Sequence, residues 1–308
     1  MRTLDNQYKD TTSDSSKTIS NPTIMFTTTT TTVTTVKAKL TYFIPPPDGA
    51  SPYTNINDSL HEPKGNWIFD ERVVDIENIR ASGTEKDYTL DKNGFQFHTE
   101  AAKHTSFDNG DVVTKEYYPE SVELIKKITG ARKVVLFDHT IRRRSHGEID
   151  SEPAKRQPVL YVHPDQTSDS ALARVHHHLP ASEAKELIGS GTRFRIINLW
   201  RPIGNPAYDW PLTLCDFQSI DQTRDLVPAT LVYPDSKGQI YQVKFDEGHR
   251  WKYVRGMRPE DVILIKCYDS IEDGSVAVLT PHTAFQDPSK PEDAPLRESI
   301  ELRALVFY

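Results

Sequence analysis

The chain of 308 residues has only two cysteines, Cys215 and Cys267, and they lie far apart. A disulfide framework uses more cysteines, and a zinc site built on cysteines pairs them closely, so the sequence predicts neither. Two isolated thiols favour a reducing, cytoplasmic compartment. The sequence also has no run of 18 apolar residues and no charged start leading into an apolar stretch, so we predict neither a membrane span nor a secretory signal.

A surplus of positive charge and a glycine-rich phosphate loop are also missing. The formal net charge is −7, and the 14 glycines are scattered. A nucleic-acid partner requires basic side chains that neutralise phosphates, so the charge argues against one. We interpret the basic run Arg142-Arg143-Arg144 as a solvated surface turn. No serine or cysteine lies in a recognisable nucleophile elbow, which leaves little support for a hydrolase.

The N-terminal part differs in composition from the rest. Residues 1–22 are polar and cannot bury enough apolar surface to offset the entropy of ordering, which predicts mobility. The threonine run Thr27–Thr32 either forms a strand, since threonine is β-branched, or belongs to a low-complexity extension. We therefore predict a mobile polar and Thr-rich extension over residues 1–36 and a single domain over residues 37–308.

Apolar spacing predicts a few helices followed mainly by short strands. Helices are predicted over Tyr118–Ile128, Ser168–Val175 and Ser182–Ile188. The predicted strands are Lys37–Phe43, Lys133–His139, Val159–His163, Phe194–Leu199, Leu212–Leu214, Leu231–Tyr233, Ile240–Phe245, Trp251–Tyr253, Val262–Tyr268, Val276–Leu279 and Ile300–Phe307. Short strands joined by Pro, Gly and Asp turns imply a sandwich or barrel. We predict an α+β chain, mainly β, whose core is a distorted double-stranded β-helix (jelly roll, cupin-like) with helices on one outer face.

Three residues form a candidate metal site. His163 and Asp165 are two positions apart at a predicted strand end, so their side chains project to the same side. An imidazole and a carboxylate are two members of the triad that holds ferrous iron and leaves open coordination positions. His282, between Pro281 and Thr283, is the predicted third ligand, and His249 is its rival. These ligands would also form the catalytic centre.

Two residues after His282 complete the pattern. Arg297 and Ser299 again lie two positions apart, on one face of a predicted strand. A guanidinium pairs bidentately with a carboxylate, and a serine hydroxyl donates to the same group. This pair would anchor the distal carboxylate of 2-oxoglutarate, whose keto-acid end would chelate the iron. Each motif alone is common by chance, and Arg297 could simply pair with Glu298 or Glu301. The prediction therefore depends on the order in which His-x-Asp, Pro-His-Thr and Arg-x-Ser follow one another.

The segment Asn198-Leu199-Trp200-Arg201-Pro202 supplies candidate substrate contacts. Asn198 and Arg201 could bind a carboxylate, and Trp200 could form a pocket wall. The alternative is a structural ion pair between Arg201 and Asp209. The triplet His176-His177-His178 resembles a metal cluster, but adjacent side chains on a helix diverge, so we interpret it as a solvated helix end.

The combination of motifs resembles a known family, the fungal AsaB-like hydroxylases and desaturases, which include a gibberellin desaturase and proteins related to a cephalosporin 7α-methoxylase. The resemblance covers about residues 37–308. It depends on the segments Tyr117–Glu120, Thr129–Ala131, Phe137–Arg142, Val162–Gln166, Asn198–Pro202, Asp209–Leu212, Leu264–Ser270, Pro281–Phe285 and Arg297–Ala304.

The resemblance implies a non-haem Fe(II)/2-oxoglutarate-dependent oxygenase of specialised metabolism, using O₂ to oxidise a C–H bond of a small molecule. The sequence does not separate hydroxylation, desaturation and oxidative cyclisation. An amino-acid or peptide-derived substrate is favoured by analogy and by Arg201 as a carboxylate partner. Two alternatives stay open: a non-catalytic β-barrel that binds a ligand, and an iron oxidase that does not use 2-oxoglutarate. The oligomeric state is not readable from the sequence.

Overall fold

The computed structural model describes residues 34–56, 64–147 and 156–308. The contacts gather Val33–Tyr308 into one compact unit. The threonine run Thr27–Thr32 and nearly all of the predicted N-terminal extension lie outside the described residues. The first strand begins at Thr35.

Strands dominate the described residues. They are β1 (Thr35–Ile44), β2 (Tyr53–Asn55), β3 (Ile68–Asn78), β4 (Phe95–Thr99), β5 (Lys133–Arg143), β6 (Phe194–Pro202), β7 (Leu212–Cys215), β8 (Leu226–Val232), β9 (Lys237–Val243), β10 (Trp251–Tyr253), β11 (Asp261–Asp269), β12 (His282–Ala284) and β13 (Glu298–Phe307). The helices are α1 (Leu90–Asn93), α2 (Gly110–Val112), α3 (Tyr118–Thr129), α4 (Ser168–His178), α5 (Ala181–Gly189) and α6 (Gln222–Asp225). None of these helices is both long enough and apolar enough to cross a membrane.

The strands form three sheets. The first has the order β1-β3-β10-β7-β12, the second β4-β11-β6-β13-β5, and the third β2-β8-β9. The extended segment 159–163 joins the two edges of the first sheet. It pairs with β1 through Tyr161 and with β12 through His163. We call this segment the seam, because it closes the first sheet on itself.

The second sheet is buried on both faces. One face packs against the first sheet through a cluster that includes Phe95, Trp200 and Leu214. Helix α3 covers the other face, where Leu124 and Ile125 join the cluster of β6 and β13 side chains. This arrangement explains why every residue of β6 is buried. The predicted jelly-roll core with flanking helices is confirmed.

Helix α3 follows its sequence signals closely. Pro119 lies in the first turn, and Gly130 ends the helix in the left-handed conformation with φ of 70°. Two predicted strands are wrong as regular strands. Val159–His163 makes only isolated bridges, and Val276–Leu279 forms no strand. The sequence analysis also missed β3, because the first half of that strand is largely exposed and lacks a clean apolar alternation.

Candidate metal centre and co-substrate site

Two histidines face each other across the closure of the first sheet. The backbone N–H of His163 donates to the carbonyl of His282 at 3.2 Å, and the N–H of His282 donates to the carbonyl of His163 at 3.0 Å. This antiparallel pair places both side chains on one face, with ring centroids 4.6 Å apart. The backbone therefore sets the separation of the two imidazoles.

Each imidazole is oriented by a local carbonyl. Nδ1 of His163 lies 2.9 Å from the carbonyl oxygen of Tyr161, and Nδ1 of His282 lies 3.0 Å from that of Thr280. A carbonyl can only accept, so Nδ1 carries a proton, and in the neutral imidazole the lone pair is then on Nε2. The backbone thereby selects the tautomer that binds a metal through Nε2.

Asp165 completes the group. Its Oδ1 lies 3.5 Å from Nε2 of His163 and 4.0 Å from Nε2 of His282. Burial opposes ionisation of this carboxyl, but the contact with His163 and the nearby His282 outweigh it, and the pKa of Asp165 lies well below its usual value. Burial and the neighbouring His163 lower the pKa of His282, so this imidazole is neutral at pH 7. The site therefore offers one anion and a neutral imidazole donor from His282.

The donor set fits ferrous iron. One ligand atom from each of His163, Asp165 and His282 lies within 4.8 Å of the others, which is the spread that a single ion can bridge. Within the described part of the chain, no other group of three His, Cys, Asp or Glu residues meets this criterion. Two imidazoles and one carboxylate are the donors of the facial triad of non-haem iron oxygenases.

Two further side chains hold the carboxylate. Asn198 Nδ2 donates to Oδ2 of Asp165 at 2.5 Å, and the thiol of Cys267 lies 3.6 Å from the same oxygen. Asn198 lies on β6 and Cys267 on β11, so the second sheet supports a ligand carried by the loop after the seam. Cys267 is not among the residues that the sequence predicts for this site. Its direction depends on a β-bulge between Lys266 and Tyr268, for which the sequence gives no signal.

Arg297, the cation of the predicted co-substrate anchor, lines one cavity together with His163, Asp165 and His282. Arg297 and Ser299 are 2% and 1% exposed. Nη1 of Arg297 donates to the carbonyl of Trp210 at 2.6 Å, but neither Arg297 Nε nor Ser299 Oγ has a hydrogen-bond partner among the described residues. Burial and the nearby guanidinium of Arg142 lower the pKa of Arg297. A buried cation with an unused donor, next to an unused hydroxyl, is a site for an anion.

The strand register extends this polar face. Ser299 and Glu301 lie opposite Pro202 and Trp200 on the neighbouring strand β6. The cavity that holds the three predicted iron ligands is lined by residues of both sheets and of the seam, among them Arg142, Val159, Trp200, Leu212, Glu301 and Arg303. Glu301 and Arg303 continue the two-residue spacing of Arg297 and Ser299, so a strict period-2 reading of β13 would have identified them.

Arg201 and His249 do not reach the metal centre. Nε of Arg201 donates to the hydroxyl of Tyr117, and Nη1 donates to two backbone carbonyls, all on the α3 side of the sheet. The alternative ion pair of Arg201 with Asp209 is also wrong, since Asp209 pairs with Arg144 and Lys290.

The ring nitrogens of His249 contact Tyr42 and Asp225 in a separate buried cluster. His176 and His177 are exposed at the end of α4, which agrees with the predicted solvated helix end.

Comparisons with known proteins agree with this geometry. The family model described as an oxidoreductase/YMDC permease-like domain matches residues 40–307. The chain is 32% identical over 296 residues to the hydroxylase/desaturase efuI of Hormonema carpetanum, covering 89% of this chain and 95% of that protein. It is 32% identical over 278 residues to the alpha-ketoglutarate-dependent dioxygenase phiK of a fungal species, covering 89% of this chain and 96% of that protein.

A solved structure gives a similar result. The iron and alpha-ketoglutarate-dependent endoperoxidase NvfI superposes with a TM-score of 0.77 at 28% identity. The match covers 89% of this chain and 98% of that chain. Alpha-ketoglutarate is another name for 2-oxoglutarate, so phiK and NvfI are both named for the co-substrate that Arg297 and Ser299 predict for this chain.

Proposed function

The chain belongs to the oxidoreductase family that includes these fungal Fe(II)/2-oxoglutarate-dependent hydroxylases, desaturases and dioxygenases, and on this basis we propose the roles of its residues. His163, Asp165 and His282 hold the ferrous ion, and Arg297 with Ser299 binds the distal carboxylate of 2-oxoglutarate. The observation that carries the assignment is the convergence of the three ligand atoms within 4.8 Å. The enzyme uses O₂ and a small-molecule substrate.

Each residue has a distinct task in this proposal. When bound, ferrous iron couples the oxidation of 2-oxoglutarate by O₂ to the oxidation of a substrate C–H bond. His163 and His282 would present Nε2 as the ligand atom because backbone carbonyls accept from Nδ1. Asn198 holds Oδ2 of Asp165, which leaves Oδ1 near Nε2 of both histidines as the oxygen that would bind the ion. Arg297 fixes the co-substrate at its far end, which orients the keto acid toward the metal.

The structure changes the roles proposed for the three substrate-contact residues that the sequence predicts. Trp200 lines the cavity, and Asn198 acts through Asp165. Arg201 lies on the other face of the sheet, so it gives no support for an amino-acid or peptide-derived substrate. Whether the reaction ends in hydroxylation, desaturation or cyclisation depends on which substrate carbon lies next to the metal.

Anaerobic reconstitution tests the proposal. We expect Fe(II) and 2-oxoglutarate together, but neither alone, to give the weak visible charge-transfer band of a chelated keto acid. Admission of O₂ should then release succinate. A protein that binds Fe(II) and consumes O₂ without forming succinate would be an iron oxidase, and one that binds no Fe(II) would be a non-catalytic barrel. Either result would contradict the proposal.

We also propose a location and a class of partner that the protein does not bind. Cys215 and Cys267 are both buried free thiols, which supports a reducing, cytoplasmic compartment. The net charge of −7 supports a protein that does not bind nucleic acid.

A further inference from the structure

Three aromatic side chains form a partly exposed cluster beside the metal centre, in which Trp67 and Tyr161 are half-buried. Trp67 and Phe69 make an edge-on contact with ring centroids 4.9 Å apart. Tyr161 lies 6.3 Å from each of them. Phe69 is 58% exposed. We call Trp67, Phe69 and Tyr161 the aromatic platform.

The platform is continuous with the proposed iron ligands. Tyr161 precedes His163 by two residues in the seam, so both side chains lie on the same face, and their ring centroids are 5.1 Å apart. Strand pairing carries this face outward. Tyr161 lies beside Thr41 of β1, and two residues further along β1 Phe43 lies opposite Phe69 of β3. A ligand lying on Phe69 would therefore reach the metal centre across Tyr161.

The ring faces of the platform present an apolar surface. The indole N–H of Trp67 already donates to the hydroxyl of Thr54 at 2.9 Å, so the ring presents carbon atoms. Lys39 and Glu71, on the same face of β1 and β3, pair with each other at 2.9 Å. Single exposed apolar side chains are common on protein surfaces, but three aromatic rings in mutual contact form a patch. Such rings favour offset or edge-on contact with another ring system.

We propose that the aromatic platform binds an apolar ring system of the substrate, so that the substrate is an uncharged, fused-ring compound and not a free amino acid. The inference rests on the proposed function, because it takes the metal centre as the reacting end of the site. It replaces the amino-acid substrate that the sequence suggested. The support is the chain of ring contacts from Phe69 through Tyr161 to His163.

The test uses Mn(II) in the metal centre and 2-naphthol as the probe. Paramagnetic Mn(II) speeds the relaxation of nearby protons, and the effect falls steeply with distance, so only a probe held beside the metal responds. The variant Phe69→Ser removes the exposed ring. The matched control is Val73→Ser, which changes an apolar side chain that is 67% exposed on the same face of the same strand. Free L-tryptophan serves as the amino-acid comparison.

We expect 2-naphthol relaxation to rise in the parent protein and in Val73→Ser. In Phe69→Ser the effect should fall about tenfold, the loss that follows removal of an aromatic anchor. L-Tryptophan at the same concentration should respond less than 2-naphthol.

Three results would overturn the inference. They are an unchanged probe effect in Phe69→Ser, a stronger effect for L-tryptophan, and conversion of a dimer to a monomer by Phe69→Ser without loss of probe relaxation. The last would assign the platform to a second copy of the chain. Failure of the parent protein to bind Mn(II), read from the Mn(II) EPR signal, would contradict the proposed function itself.

Discussion

Asn198 and Asp165 are joined by a hydrogen bond of 2.5 Å that connects the centre of the second sheet to the metal centre. Asn198 lies on β6, and every residue of this strand is buried. Asp165 follows the seam and belongs to no regular strand. The carboxylate therefore takes its orientation from a rigid strand, although the chain that carries it is irregular.

We expect Asn198→Ala to weaken metal binding about 10- to 100-fold, the usual effect of removing a partner that orients a ligand. Cys267→Ala should have a smaller effect, because a thiol is a weak donor. Cys267→Ser should keep the affinity of the parent, since its hydroxyl can also donate to Asp165. Calorimetric titration with Co(II) measures all three. Parent-like affinity in Asn198→Ala would show that Asp165 orients itself.

Removal of either histidine should abolish metal binding. We expect His163→Ala and His282→Ala to lower the affinity for Fe(II) by at least about 100-fold, more than the loss of an orienting partner. His249→Ala is the matched control, because His249 is also a buried histidine of this fold but contacts Tyr42 and Asp225. It should bind Fe(II) as the parent does. Full turnover by His282→Ala would reassign the third ligand.

Arg297 and Arg201 form a second matched pair, since both are buried arginines that donate to backbone carbonyls. Arg297→Met should raise the KM for 2-oxoglutarate by about 150-fold or more, because two charge-assisted hydrogen bonds are lost, each worth at least about 1.5 kcal/mol. Its affinity for Fe(II) without co-substrate should not change.

Arg201→Met should instead lower the free energy of unfolding by about 3 kcal/mol, because buried acceptors lose their donor. Its KM for 2-oxoglutarate should stay the same. A raised KM in Arg201→Met, in protein shown to be folded by circular dichroism, would contradict this separation of roles.

Asp269 predicts an acid-sensitive contribution to stability. Burial opposes its ionisation, but hydrogen bonds from Arg193 and the neighbouring Lys266 outweigh this and lower its pKa. A carboxyl with a lowered pKa contributes stability that is complete above its unfolded pKa of about 3.9 and is lost as pH falls through the folded pKa.

We expect Asp269→Asn to cost about 3–5 kcal/mol at pH 7, since a buried ion pair is broken, and clearly less at pH 3. Urea unfolding at the two pH values measures both. Asp75→Asn is the control, because Asp75 forms an exposed pair with Lys37, and such pairs contribute about 0–1 kcal/mol. If Asp269→Asn lowered the free energy of unfolding equally at pH 7 and pH 3, the charge of Asp269 would not be the source of the stabilisation.

The sequence predicted what depends on local periodicity. The two-residue spacing predicts that Arg297 and Ser299 share a face, and both side chains are buried in the structure. The same rule explains the failure at Arg201, which is three positions from Asn198 and therefore faces away.

Other features could not be predicted because they depend on distant parts of the chain. The bulge that turns Cys267 toward Asp165 exists only once β11 pairs with β6. The segment 159–163 reads as an ordinary strand, yet it bridges two edges with one pair to each. The aromatic platform likewise brings together Trp67 and Tyr161, which are far apart in the sequence.

The seam has a thermodynamic consequence. The seam pairs with β12 through the bridge between His163 and His282. The same bridge sets the spacing of the two imidazoles. An ion held by both side chains ties the same two pieces of backbone together a second time. Iron occupancy and closure of the barrel are then linked equilibria, so chelation should loosen the architecture as well as stop the chemistry. The lifetime of the protein would thus follow the supply of its metal.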